Sequence, residues 1–280
     1  MDLKNNDTDT FGEQRVSTGL LLAAGTGSRL SPLTDFIPKC LVEVNGIPIL
    51  DRLIHSLQLH DFKRLVIVLG HQANCIREYL GERAGGMEIT YITSPVYETT
   101  NNIYSLWLAG KAINEPFLLM ESDLIFDAPM IENLLIPDRI AIARLQPWME
   151  GTTVSIDNRH RVQSFCCGDS GPPRGIQYKT VNIYSLSQVA WQLVWERLNK
   201  HISANRVNSY YEAVFAELTR EGLLSFAPVF FGSNRWYEID TLDDLHAAER
   251  MLIPHPLTCL GGVGNRPAPY TIESQALNDK

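Results

Sequence analysis

The sequence has little that would take it to a nucleic acid or into a bilayer. Its 24 Lys and Arg are outnumbered by 32 Asp and Glu, for a formal net charge of −8. That balance excludes the broad basic surface that polynucleotides and anionic lipids require. No apolar run approaches the roughly 18 residues needed to span a membrane. The first 17 residues are polar and acidic, without the apolar core of a signal peptide, so the expectation is a cytoplasmic protein. The five cysteines (Cys40, Cys75, Cys166, Cys167 and Cys259) are odd in number and lack CxxC spacing, which indicates neither a disulfide framework nor a zinc site. Cys166 and Cys167 read as plain thiols. Also missing is the third glycine of a dinucleotide fingerprint: Gly25-x-Gly27 continues into Arg29-Leu30. The segment Arg64 to Gly70 ends in Gly-His, where a ribose would need a carboxylate, and the Walker pattern is absent. Oxidoreductase and P-loop readings weaken accordingly.

What is present is an ordinary globular composition, 45% hydrophobic and 20% charged over 280 residues, with ample core for one large or two small domains. Residues 1–17 and 254–280 read as loosely held tails, the first disordered. Between them, apolar runs such as Gly19 to Ala24, Arg64 to Gly70 and Pro116 to Met120 alternate with helical periodicity over Ile49 to Leu59, Asn74 to Leu80 and Asn102 to Ala112. This pattern predicts an α/β fold with a doubly wound, mostly parallel (mixed) sheet and helices on both faces. The second half is richer in strands (Arg139 to Arg144, Thr152 to Ile156, Val162 to Cys166, Thr180 to Ser185, Leu224 to Phe231). Helices are expected over Ser187 to Asn199, with Val189, Leu193, Val194 and Leu198 inward, over Ser209 to Glu221, and over Asp243 to Leu252. With no repeats and no strong linker, residues 18–253 are expected to form a single domain, its halves dividing near 135.

Open α/β sheets bind ligands at the carboxyl ends of their strands. One such end carries Gly25-Thr26-Gly27-Ser28-Arg29; another, after Met120, carries Asp123. Glycines there permit a tight turn and close approach of a ligand, and exposed backbone N–H groups form an anion cradle. Arg29 and Lys39 add a fork and a point charge suited to a polyphosphate. An Asp after a buried strand is often only a turn former, and Asn101 and Asn102 could simply cap a helix. Asp123 therefore gains weight from the loop it faces. His71 and His160 read as surface histidines.

The stretch LAAGTGSRL, followed after a loop by PKCLVEVNGIPIL, resembles the signature of nucleotidyltransferases that couple an NTP to a phosphate-bearing acceptor. Asn101-Asn102-Ile103-Tyr104-Ser105-Leu106, Glu121-Ser122-Asp123 and Trp236-Tyr237-Glu238-Ile239-Asp240 are similar to segments of the choline-phosphate and phosphonate cytidylyltransferase branch, so the resemblance spans roughly residues 19–252. It implies that Leu22, Ala23, Ala24, Gly25, Thr26, Gly27, Ser28 and Arg29 hold the nucleotide, with Asn102 and Ser105 lining the pocket. Asp123 and Asp240, with Glu238, are implied ligands of Mg²⁺. Glu238 and Asp240 would share a face if the strand alternates through both. Lys39 would lie on the α-phosphate and Arg29 on the β- and γ-phosphates, positioning and neutralising charge while an acceptor oxygen attacks.

The resemblance makes CTP the nucleotide. For the acceptor, the family's Glu-Trp is replaced by Glu150-Gly151, which removes one wall of an aromatic cage for a quaternary ammonium. Trp148 lies nearby, and Tyr210 and Tyr211 match the opposite wall, although a helix could simply pack them. Lys179, or Arg174 before it, could meet an anionic or polar group. The expectation is therefore a small phosphonate of the 2-hydroxyethyl-, 2-aminoethyl- or phosphonoformate type. Choline phosphate and a sugar 1-phosphate are alternatives, and a non-catalytic nucleotide-binding regulator is a further one. The oligomeric state is left open, a homodimer being compatible.

Overall fold

The sheet is built outward from β1 (Thr18–Ala23), which is buried at every position and paired in parallel on both sides. Two-sided burial is why this run shows no polar alternation. The computed structural model describes residues 15–167, 175–232 and 235–251. After β1 come a small hairpin, β2 (Glu43–Val44) and β3 (Ile47–Pro48), and helix α1 (Ile49–Leu59). Then follow β4 (Arg64–Leu69), α2 (Ala73–Leu80), β5 (Arg83–Ala84), β6 (Met87–Thr93), α3 (Asn102–Ala109) and β7 (Phe117–Glu121). Strands β7, β1, β4 and β6 lie side by side and parallel, with β5 antiparallel at the edge.

The chain then turns through β8 (Leu124–Phe126) into β9 (Arg139–Arg144), β10 (Thr153–Ile156), β11 (Val162–Cys166) and β12 (Tyr178–Leu186). β12 runs antiparallel to β7, β9 and β10, and so joins the parallel half to the antiparallel one. Its pairing with β9 shifts register between Thr180 and Tyr184, where Asn182 takes φ 57°. Helices α4 (Gln188–Ser203) and α5 (Glu212–Arg220) precede β13 (Ala227–Phe231), which pairs in parallel with β9 and completes ten strands. Last come β14 (Trp236–Glu238), antiparallel to β8, and α6 (Leu242–Met251). The expected α/β class with a mixed, largely parallel centre and helices on both faces is what the chain adopts.

Alternation along the strands feeds two cores. Leu21, Ile67 and Met120 join Val181, Ile183 and Phe231 on one face. Leu20, Val68 and Leu119 join Tyr184, Phe215 and Phe226 on the other. Both cores draw on residues from before and after position 135.

Two sequence expectations shift. Val16 is fully buried and its N–H donates to the Leu135 carbonyl at 2.9 Å, so order begins ahead of residue 17. Residues 1–14 and 252–280, where the rest of the tails were expected, and Cys259 with them, lie outside the described residues. In α4 the inward stripe is Ala190, Trp191, Val194, Leu198 and His201, while Leu193 is half-buried and Val189 is 69% exposed. Trp191 sets that phase: its ring packs edge-on against Phe117, and its indole N–H donates to the Ile113 carbonyl.

Candidate active site

The glycine loop leaves β1 at Ala24. Gly27 is left-handed (φ 66°), and a Cβ there would sit 3.1 Å from Thr34 Cγ2 and 3.2 Å from Lys39 Cβ. The glycine thus lets the strand's exit and the Lys39 turn approach each other, and the Thr34 hydroxyl locks the arrangement by donating to the Gly27 carbonyl at 2.8 Å. The regular helix an anion cradle would use is absent here; a single turn, Ser28–Leu30, stands in its place. Leu22, Ala23 and Ala24 are buried, whereas Gly25, Thr26, Ser28 and Arg29 face solvent. Gly70 ends β4 against this exit. A Cβ there would fall 2.5 Å from the Ala24 carbonyl oxygen and 2.7 Å from the Tyr97 side chain, so only glycine fits.

Lys39 Nζ lies 2.7 Å from Asp123 Oδ2 and 2.7 Å from Asp240 Oδ1, and Arg29 reaches the same Asp240 oxygen at 2.8 Å. Burial alone would lower the Lys39 pKa, but the two carboxylates outweigh it and hold the ammonium well above its ordinary value. Behind this bridge, one carboxylate oxygen each from Glu121, Asp123 and Glu238 lie within 4.8 Å of one another. Burial, then the Asp123 charge, raises Glu121 well above the usual carboxylate range. Glu238 is also raised by burial, against the opposing pull of Lys179. The buried Asp123 Oδ1 has no hydrogen-bond partner among the described residues. An all-carboxylate donor set with an unsatisfied oxygen fits a hard divalent cation.

Glu121, which sequence reasoning did not name among the implied metal ligands, joins Asp123 and Glu238 in this group. Asp240 stands outside the three-carboxylate group. The β14 ladder stops at Glu238, and the Asp240 and Thr241 N–H groups donate to Asp244, which opens α6. Strand alternation therefore does not carry from Glu238 to Asp240, and Asp240 faces the two cations instead.

A cavity of about 550 Å³ continues from this centre toward the second half of the sheet. Arg29, Asp123, Asp240 and Glu238 border it, together with Trp148, Glu150, Thr152, Lys179, Tyr210 and Glu212. Asn102 lines it too, donating to Glu121 Oε1 at 3.1 Å and accepting from the Tyr211 N–H at 3.0 Å. Ser105, one helical turn on, is 5% exposed and is not among the cavity's walls, because α3 turns that position into the core. The two tyrosines part company. Tyr210 is 59% exposed in the cavity wall, whereas Tyr211 is wholly buried against Tyr184 and Phe215. Tyr211 is core, and its assignment to the acceptor is corrected accordingly.

Lys179 is 2% exposed; its ammonium donates to the Thr180 carbonyl at 2.8 Å and pairs with Glu238 at 3.2 Å. Asn182, from the bulge in β12, donates to the other Glu238 oxygen at 3.1 Å. Arg174 lies outside the described residues. Glu212, which no sequence pattern singled out, is 4% exposed at the start of α5, and burial pushes its pKa up to about 7.

Comparison with known proteins bears on the kind of chain this is and on its fold. Residues 18–138 match the nucleotidyl transferase family. The chain is 28% identical over 252 residues to the CMP-5'-(3-aminopropyl)phosphonate synthase of Streptomyces rubellomurinus, covering 84% of this chain and 38% of that one. It is 30% identical over 112 residues to the 2-aminoethylphosphonate cytidylyltransferase of Lancefieldella rimae, covering 39% and 44%. It thus spans about two fifths of the length of these relatives. Among solved structures, the CTP:phosphocholine cytidylyltransferase of Streptococcus pneumoniae superposes with a TM-score of 0.74 at 22% identity, covering 85% of this chain and all of the other. That likeness speaks to the fold.

Proposed function

We propose that this chain is a nucleotidyl transferase that moves CMP from CTP to a small phosphonate and releases pyrophosphate. The observation that carries the reading is one cavity bordered by Arg29, Glu121, Asp123, Glu238 and Asp240, two of whose carboxylates, Asp123 and Asp240, are bridged by Lys39. A triphosphate needs cations and a metal needs carboxylates, and here both lie within a few ångströms. Cytosine and the phosphonate are supported by the relatives' activities.

In the reaction a phosphonate oxygen attacks the α-phosphorus, a new P–O bond forms, and the bond to the pyrophosphate oxygen breaks. Arg29, exposed at the cavity mouth, is placed to hold the β- and γ-phosphates. Lys39 exchanges its two carboxylates for the α-phosphate, where its charge offsets that of the transition state. Glu121, Asp123 and Glu238 would hold Mg²⁺, which neutralises phosphate charge when bound. Residues 18–253 act as one domain in this reading, the nucleotide on the half before 135 and the acceptor on the half after it.

The test is pyrophosphate release across four NTPs, each offered a panel of phosphonates, phosphocholine and sugar 1-phosphates with Mg²⁺. Release with CTP and a phosphonate is expected; release confined to UTP or dTTP with a sugar 1-phosphate would refute the reading. Phosphocholine is a second reading, because the exposed rings of Trp148 and Tyr210 border the cavity and could face a quaternary ammonium.

A further inference from the structure

The cavity wall holds a carboxylate with one oxygen that no donor among the described residues reaches. Glu212 lines the cavity, is 4% exposed, and its Oε2 has no hydrogen-bond partner among the described residues. The nearby cation, Lys179, is already held by Glu238 and the Thr180 carbonyl. A buried carboxylate oxygen without a donor is costly, and natural sites rarely keep one idle. A helix-start glutamate is ordinarily explained by the helix dipole, but that effect does not require burial facing a cavity.

The loop opposite gives the same indication. Gly151 takes φ 93°, a conformation side chains rarely adopt, and a Cβ there would lie 3.5 Å from Lys179 Nζ. A bulky ring at that position is therefore disfavoured, which leaves Trp148 and Tyr210 as the exposed rings beside Glu212 without a third from position 151.

We propose that Glu212 is the specificity-determining residue for the acceptor, and that it accepts hydrogen bonds from a primary ammonium at the end of the molecule remote from the phosphonate. A primary ammonium offers three N–H donors, whereas a trimethylammonium of equal charge offers none. Tyr210, exposed beside Glu212, gives either cation an aromatic face. Selection therefore falls on the donors, not on the charge. Lys179, with its charge neutralised inside the wall, gives no anchor for an anionic acceptor. This inference rests on the cytidylyl-transfer reading for the reaction and refines its acceptor.

The experiment compares 2-aminoethylphosphonate with its N,N,N-trimethyl analogue, which differ only at nitrogen, and with 2-hydroxyethylphosphonate. For the unmodified protein with CTP and Mg²⁺, kcat/KM is expected to favour the primary amine over the trimethyl analogue by roughly 10²-fold or more, as a site built around a hydrogen bond does. Glu212→Gln should reduce that preference to within about tenfold. A purely structural Glu212 would lower the melting temperature without changing the ratio. Equal turnover of the two amines by the unmodified protein overturns the proposal even if the variant fails to fold. If no acceptor releases pyrophosphate, the transfer reading fails. Calorimetric titration of the same two amines then judges the ammonium site alone: tighter binding of the primary amine supports it, and equal binding refutes it.

Discussion

Replacing Lys39 with Met keeps the length of the stem and removes the charge that sits between Asp123 and Asp240. Its side chain is 13% exposed, and those of the two carboxylates are 14% and 21% exposed. Removing one partner from a buried ion pair costs about 3–5 kcal/mol, because the other charge stays behind. Arg29 still holds Asp240 at 2.8 Å, so the low end applies: about 3 kcal/mol in EDTA, or a fall in Tm of about 6–12 °C. Mg²⁺ should then distinguish the two proteins. In the unmodified chain a metal competes with Lys39 for Asp123; in the variant that oxygen is vacant. A tenfold gain in metal affinity would return about 1.4 kcal/mol at saturation. Thermal melts of both proteins, in EDTA and in excess Mg²⁺, read each quantity. Turnover in Mg²⁺ should fall by about 10²–10³, since the metal does not replace a charge on the α-phosphate. Equal stability in EDTA, or equal Mg²⁺ shifts, would show that Lys39 does not bridge these carboxylates.

Four further outcomes follow from the geometry. Gly27→Val should cost about 2 kcal/mol or more, from left-handed strain and the clash with Thr34 and Lys39, and should raise the KM for CTP; an unchanged urea midpoint counts against it. Tyr211→Ala should destabilise by about 3–5 kcal/mol as a core truncation, whereas Tyr210→Ala should leave the melt nearly unmoved and raise the acceptor KM. Asp240→Ala should abolish most turnover, and full retention would remove Asp240 from the centre. Burial raises the Glu212 pKa from 4.5 to about 7, so its stabilising contribution is complete below pH 4.5 and lost as pH rises through 7. Melts of Glu212→Gln against pH should lack that decline.

Much of the framework was legible because each signal was local. Burial on both faces wrote itself into the apolar runs of β1, β4 and β7, and the glycine loop and Asp123 could be assigned to strand ends from those runs alone. The cavity wall contributed by the second half of the chain was harder to read. Tyr210 and Tyr211 are neighbours at the entry to a helix, where one residue's rotation separates solvent from core. Glu212 follows them and reads as a helix-start glutamate; only the folded wall reveals it as buried. Lys179 looked available for an anion because its partner, Glu238, lies on a strand 59 residues away that pairs with β8 rather than with its own. Val189 was misphased because Trp191, two positions on, dictates which side of α4 faces inward.

The ion pairs around Lys39 also bear on how the chain reaches its working form. They join residues separated by 84, 201 and 211 positions. The central sheet can assemble from neighbouring βα units, but closing Asp240 onto Lys39 waits for β14 to find β8 near the end of the chain. Closure entropy grows by only about 0.6 kcal/mol per doubling of loop length, so stability suffers little, whereas folding rate falls as contacts become less local. The catalytic centre is accordingly expected to be among the last contacts made. During refolding, the recovery of activity should lag behind that of the helical circular dichroism signal.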